Sequence, residues 1–242
     1  MSQILRRGDC FELMIDLPDG SIDMILSDPP YGSTQLVWDI TVPLPDLWRH
    51  YKRVLKPNGV VVLTAIQPFT SLLGASNLEW LKYSWIWKKP HTGQMNCKRM
   101  PLKNIEDVLV FYGSQPTYNP QFTKGKPYTM IRKKYNGSEC YGSQKIHDTH
   151  SNGDRYPMQI LEFPRAKKLI HPTQKPVALF EFLIRTYTNE GETVLDTFSG
   201  SGTTAIACKN SGRNSICMER DEKYFEEASR RINEYLPGTS DL

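Results

Sequence analysis

ETVLDTFSGSGTTAIACKNSGRNSICME, residues 192–219, decides the fold. ETVLDTF is a short apolar run that ends in an acid, Asp196, and reads as a strand. GSGTT follows, with two glycines for the turn and two threonines suited to a helix N-terminus. AIACKNSG continues as helix, and RNSICME returns as a second strand ending at Glu219. A strand, a glycine turn, a helix and a strand in so short a span are the unit from which parallel sheets are built.

Outward from this unit the alternation repeats. PVALFEFLIRTYT precedes it as a helix with Pro176 near its first turn, and DEKYFEEASRRINEYL follows as a closing helix. Nearer the N-terminus, ILRRGD reads as a strand and FELMIDL as a helix with Phe11, Met14 and Ile15 on one face. SIDMILS is a strand, PDLWRHYKRVL a helix stopped by KPNG, and VVVLTAI a fully apolar strand. TSLLGASNL suits a helix, and YSWIWK and EDVLVFY suit strands. Trp85 and Trp87 flank Ile86, and one ring is expected in the core with the other at a surface. The order predicts an α/β fold: a doubly wound, mostly parallel, Rossmann-like sheet with helices on both faces. Ligands in such sheets bind beyond the C-terminal strand ends. Three of those ends carry acids: Asp9, Asp28 and Asp196.

The chain has 242 residues, enough for one large domain with an insertion. No apolar run approaches the roughly 20 residues of a membrane span, and the N-terminus lacks the apolar run of a signal peptide. The five cysteines are scattered, with no spacing for a metal site or a disulfide framework, so a reduced cytoplasm is expected and no metal. Net charge is only +4, yet Gly113 to Lys168 holds ten Lys/Arg against four acids. That segment is rich in Gly, Pro, Ser, Asn and Tyr, and long loops with a hairpin are expected.

The glycine turn alone also suits a dinucleotide or a phosphate, but it has neither GxGxxG nor GK[ST] spacing. Asp196 would repel a phosphate and welcome a cation such as an amino-acid ammonium. Glu219 lies on the neighbouring strand tip, where an acid holds ribose hydroxyls. A glycine turn with one acid for an amino group and one for ribose fits S-adenosylmethionine; a tight turn with solvated acids is the simpler alternative. HPTQKP, His171 to Pro176, is a stiff helix entry from which His171, Thr173 and Lys175 could face the methionine carboxylate.

SDPPYG, Ser27 to Gly32, ends another strand. The two prolines hold backbone carbonyls rigidly without offering N–H donors. An exocyclic amino group on a nucleobase is a poor nucleophile because its lone pair is delocalised into the ring. Asp28 and the Pro29 carbonyl could accept its hydrogens and stabilise the positive charge that develops during attack on a methyl sulfonium. Tyr31 offers a ring for stacking. A base in a duplex must be flipped out to reach such a corner. A plain Pro-Pro turn capping a strand is the alternative for DPP by itself.

DPPY, HPTQKP and DTFSGSGTT, in that order, resemble the beta-class DNA amino-methyltransferases, across nearly the whole chain. Parts of the sequence (VWD, KPNGVVVL, QPFT, MPLKNIEDVLVFY) are similar to short phage or prophage orphan enzymes. The resemblance implies a circularly permuted sheet, with the first strand beside the last. It implies S-adenosylmethionine as cofactor, double-stranded DNA as partner and a possible homodimer. Residues 1–112 and 169–242 would form the catalytic and cofactor-binding domain, and 113–168 the target-recognition insertion. Asp28, Pro29, Pro30 and Tyr31 would be catalytic. The cofactor would be held by Asp9, Cys10, Asp28 and the His171, Thr173 and Lys175 group. Asp196, Phe198, Gly200, Ser201, Gly202, Thr203 and Thr204 would line it on the glycine turn, with Glu219 and Arg220 beside them. Lys124, Lys126, Arg132, Lys133 and Lys134 would contact DNA. No cysteine has the setting of a nucleophile. DPPY points to adenine N6; the alternatives are cytosine N4, an RNA base, or a catalytically silent DNA-binding module.

Overall fold

The computed structural model describes residues 1–32, 41–90, 97–131, 148–166 and 169–236. The chain opens with β1 (Gln3–Arg7) and α1 (Cys10–Ile15), which Asp9 caps by accepting the Phe11 N–H at 2.9 Å. Cys10 and Met14, four residues apart, form the buried face of α1. Ile15, expected on that face, is 67% exposed, because one further residue turns it a quarter of the way round the helix.

Next come β2 (Ile22–Ser27), α2 (Leu44–Val54) and β3 (Leu55–Ala65). Leu47, Trp48, Tyr51 and Val54 give α2 one apolar stripe. KPNG does not separate the helix from the strand as expected. Leu55 is already extended at φ −76°, ψ 137°, and the strand begins there. KPNG instead forms an irregularity within β3: Ile22 pairs with Leu55, but Met24 pairs with Val60. Lys56 in this bulge reaches Asp23 at 2.6 Å.

The chain continues through α3 (Phe69–Ala75), β4 (Leu81–Lys88) and β5 (Ile105–Phe111). Four short strands follow: β6 (Thr123–Lys124), β7 (Tyr128–Met130), β8 (Thr149–Ser151) and β9 (Asp154–Arg155). Last are β10 (Ile160–Glu162), α4 (Val177–Tyr187), β11 (Thr193–Asp196), α5 (Thr203–Ser211), β12 (Asn214–Glu219) and α6 (Glu222–Glu234).

The main sheet has the order β1-β12-β11-β2-β3-β5-β4-β10. Every pairing is parallel except those of β5 with β3 and β4. Gln3 pairs with Ser215, so the first strand lies beside the last, as the permuted order requires. The strand pleat divides the core. Met24, Leu26, Val60 and Val62 pack toward α4 and α5, while Ile25, Val61 and Leu63 pack toward α1, α2 and α3. Trp85 and Trp87 are both buried on the α4 side, which corrects the expected split; residues two apart in a strand share a face.

Residues 120–158 form a separate compact unit, narrower than the basic segment that begins at Gly113. Its described parts are the antiparallel pairs β6–β9 and β7–β8. β10 belongs to the main sheet instead, because Leu161 is buried and pairs with Trp87.

Candidate active site

Loops after β1, β2, β11 and β12 meet at the C-terminal edge of the sheet, where such folds bind ligands. With the HPTQKP segment they enclose a cavity of about 810 Å³. Asp9, Cys10, Asp28, Pro29, Pro30 and Tyr31 line it. So do His171, Thr173, Lys175, Asp196 and Phe198, and Gly200, Ser201, Thr203, Glu219 and Arg220. Gly202 and Thr204 lie behind this wall. Gly202 has φ +75° and begins α5 against Ile232, and Thr204 is fully buried.

Asp196, expected at a ligand's ammonium, commits both oxygens to its own turn. It accepts the Phe198 N–H at 3.1 Å and the Thr204 hydroxyl. Burial pushes its pKa up to about 6 against these hydrogen bonds. The folded chain therefore takes up this proton before the unfolded chain does. Its contribution to stability is greatest below about pH 4 and is lost as pH rises through 6. The difference amounts to about 3 kcal/mol. Denaturant unfolding of the wild type and of Asp196→Asn between pH 4 and 7 should show only the wild type losing this increment.

Glu219 accepts the Gly200 N–H at 2.7 Å and the Asp221 N–H at 2.8 Å, which ties the glycine turn to the β12 tip. Burial raises its pKa. His171 is buried, its Nδ1 accepts the Thr173 N–H at 3.3 Å, and its ring meets Tyr224 edge-on at 4.2 Å. Burial pushes the Cys10 thiol up to about 12, so it is a packing group and not a nucleophile.

Asp28 sits at the centre of a polar cluster. Its Oδ1 accepts the Tyr31 hydroxyl at 2.5 Å and the Thr64 hydroxyl. Its Oδ2 accepts the Lys175 ammonium at 2.5 Å. Lys175, expected toward a ligand carboxylate, thus lies between two acids, with Glu106 Oε2 at 3.4 Å. Burial alone would lower its pKa, but Asp28 and Glu106 outweigh it and the ammonium is retained. Phe69 stacks on the Tyr31 ring at 5.4 Å. Behind Asp28, the Thr197 N–H donates to Ser27 Oγ at 2.9 Å, and Tyr51 and Thr197 share a hydroxyl hydrogen bond at 2.5 Å. These buried groups join the β2 tip to the β11 tip and set the spacing of the two acidic corners.

A family model for N6/N4 DNA methylase matches residues 22–230. The chain belongs to this DNA methylase family. The methylase is 29% identical to the type II methyltransferase M.HpaI of Haemophilus parainfluenzae, over 98% of this chain and 76% of that one. It is similar to the crystal structure of the M1.HpyAVI–SAM complex, with a TM-score of 0.65 and 28% identity, over 95% and 99% of the two chains. The cytosine-N4-specific PvuII DNA methyltransferase shares the fold, with a TM-score of 0.70 at 17% identity, over 100% and 89%.

Thr64 and Glu106 of the methylase went unnoticed in the sequence. Thr64 interrupts the apolar run of VVVLTA, and that break in pattern was the available signal; Glu106 stands beside a second acid, Asp107, at the start of β5, where no break singles it out. In the unit of residues 120–158, Lys126 is exposed and Lys124 pairs with Asp154. Phe122 packs on Tyr156 at 4.8 Å, and the Arg155 guanidinium lies 4.7 Å from the Tyr128 ring centre. Arg132, Lys133 and Lys134 lie outside the described residues. Among the described residues, no cluster of His, Cys, Asp and Glu could hold a metal ion, and no helix is long and apolar enough to cross a membrane.

Proposed function

We propose that the methylase transfers a methyl group from S-adenosylmethionine to the N6 amino group of an adenine flipped out of double-stranded DNA. The observation that carries this reading is Asp28, an acid held by three donors on a rigid Pro-Pro corner in the wall of an acid-lined cavity. Asp9, Asp28, Glu106, Asp196, Glu219 and Asp221 outnumber Lys175 and Arg220 around that cavity, which suits a cation and opposes a phosphate cofactor. The cofactor supplies an electrophilic methyl on a sulfonium. Asp28 and the Pro29 carbonyl accept the amino hydrogens, which restores nucleophilic character to the nitrogen. Tyr31, backed by Phe69, is the surface on which the base stacks. Glu219 takes the ribose hydroxyls and Asp9 the adenine amino group of the cofactor. Residues 120–158, with Lys124, Lys126, Arg132, Lys133 and Lys134, contact phosphates and recognise the target.

The test is to incubate the purified chain with unmethylated DNA and S-adenosylmethionine, digest to nucleosides and identify them by mass spectrometry. N6-methyladenine is the expected product. N4-methylcytosine would overturn the base assignment and keep the chemistry. No modified base from a folded, cofactor-binding chain would overturn DNA as the substrate.

A further inference from the structure

Asp28, Lys175, Glu106 and Lys89 form a row of alternating charges beside the cavity, their side chains 19%, 5%, 12% and 9% exposed. They come from four places: the corner after β2, the entry to α4, the start of β5 and the residue after β4. Lys89 holds Glu106 Oε1. Glu106 Oε2 is buried and holds the Lys175 ammonium only at the long distance of 3.4 Å, while that ammonium sits 2.5 Å from Asp28. A buried carboxylate oxygen gains from a closer donor.

Asp28 is, by contrast, nearly saturated. A carboxylate offers about four lone-pair sites, and Tyr31, Thr64 and Lys175 occupy three of them. An arriving amino group finds one site left, on an acid whose charge the Lys175 ammonium already offsets. Of the three donors, Lys175 has a second acid within reach. Moving its ammonium from Asp28 to Glu106 leaves the row neutral, so no new charge is buried by the move.

We propose that the Lys175 ammonium has two seats, Asp28 Oδ2 and Glu106 Oε2, and that Glu106 is a positioning residue which draws it off Asp28 as the target amino group donates there. The inference rests on the methyl-transfer reading above. Glu106 acts only through Lys175, and it contributes to turnover rather than to cofactor affinity.

The test is a double-mutant cycle of the wild type, Glu106→Gln, Lys175→Met and the double variant. Methyl incorporation into DNA is scored irrespective of base, and cofactor affinity and thermal melting are measured on each protein. Glu106→Gln is expected to lower kcat on the order of 10-fold with cofactor Kd within about twofold of wild type. In the Lys175→Met background the same change should alter kcat less than about twofold. Equal losses in both backgrounds, or a loss confined to cofactor binding, would overturn the proposal. Should Lys175→Met fail to fold, Glu106→Asp decides: a retained acid should bring kcat to within about threefold of wild type, and an Asp as poor as Gln overturns the two-seat role. A folded wild type that transfers no methyl to DNA would instead remove the functional reading, and the role of Glu106 with it.

Discussion

Asp28→Ala is expected to lower methyl incorporation into DNA by roughly 10²–10³-fold, the scale on which a preorganised electrostatic group acts. Cofactor and DNA binding should stay within about threefold, because Glu219, Asp9 and the lysines proposed for the ribose, the cofactor adenine and the DNA phosphates lie on other loops, although Asp28 itself was expected near the cofactor. The change removes the acceptor for three donors at once. Lys175 keeps Glu106 as its counter-charge, and the Tyr31 and Thr64 hydroxyls remain close to each other at 3.0 Å. The corner should therefore survive and the chemistry should not. Single-turnover assays with labelled cofactor, run beside calorimetric binding, separate the two. Full activity in a folded Asp28→Ala protein would remove Asp28 from the mechanism.

Gly202→Val is expected to be the most damaging single change to the fold around the site. Gly202 has φ +75°, a region that costs a branched residue about 1–3 kcal/mol. A Cβ there would stand 2.9 Å from Ile232 Cδ1 and 3.1 Å from Cγ1, inside the contact distance of packed carbon. Overpacking adds about 1–3 kcal/mol, for a total near 4 kcal/mol. For a chain of this size that corresponds to a fall in Tm of about 10 °C. The same displacement pushes α6 off the start of α5, where the Arg231 guanidinium donates to the Ser201 carbonyl at 2.9 Å. Cofactor affinity should drop with stability. A variant that melts like the wild type and binds cofactor normally would show that this turn tolerates a side chain.

The parallel sheet was legible in the sequence because its signals are local. DTFSGSGTT carries its turn, its helix start and its acid within a few residues, and Gly200 and Gly202 do adopt positive φ. KPNG shows the limit of the same logic: it has turn chemistry, yet it sits as a bulge inside a strand because Leu55 and Val60 both find partners on β2. Ile15 and the Trp85–Trp87 pair were misplaced through periodicity, the first by one residue on a helix and the second by treating positions two apart as opposite faces. The contact between Lys175 and Asp28 spans 147 residues of chain, and no local pattern announces it. HPTQKP pointed to Lys175 as a site residue but toward a different acceptor. Glu106 was hidden for the same reason, since its significance lies in what the fold places beside it.

The pairing of Gln3 with Ser215 bears on how the protein is made. The strand that completes the hydrogen bonds of β1 leaves the ribosome 212 residues after it. At synthesis rates of about 5–20 residues per second, that is a wait of some tens of seconds. During it, β2, β3, β4 and β5 can already assemble, while β1 is a strand without its partner and β2 an open edge, both exposed to the wrong neighbour. Because β12 also carries Glu219, the nascent chain gains its last cavity wall and closes its sheet in one event. A half-synthesised methylase should therefore be both aggregation-prone and unable to hold its methyl donor until that final strand docks.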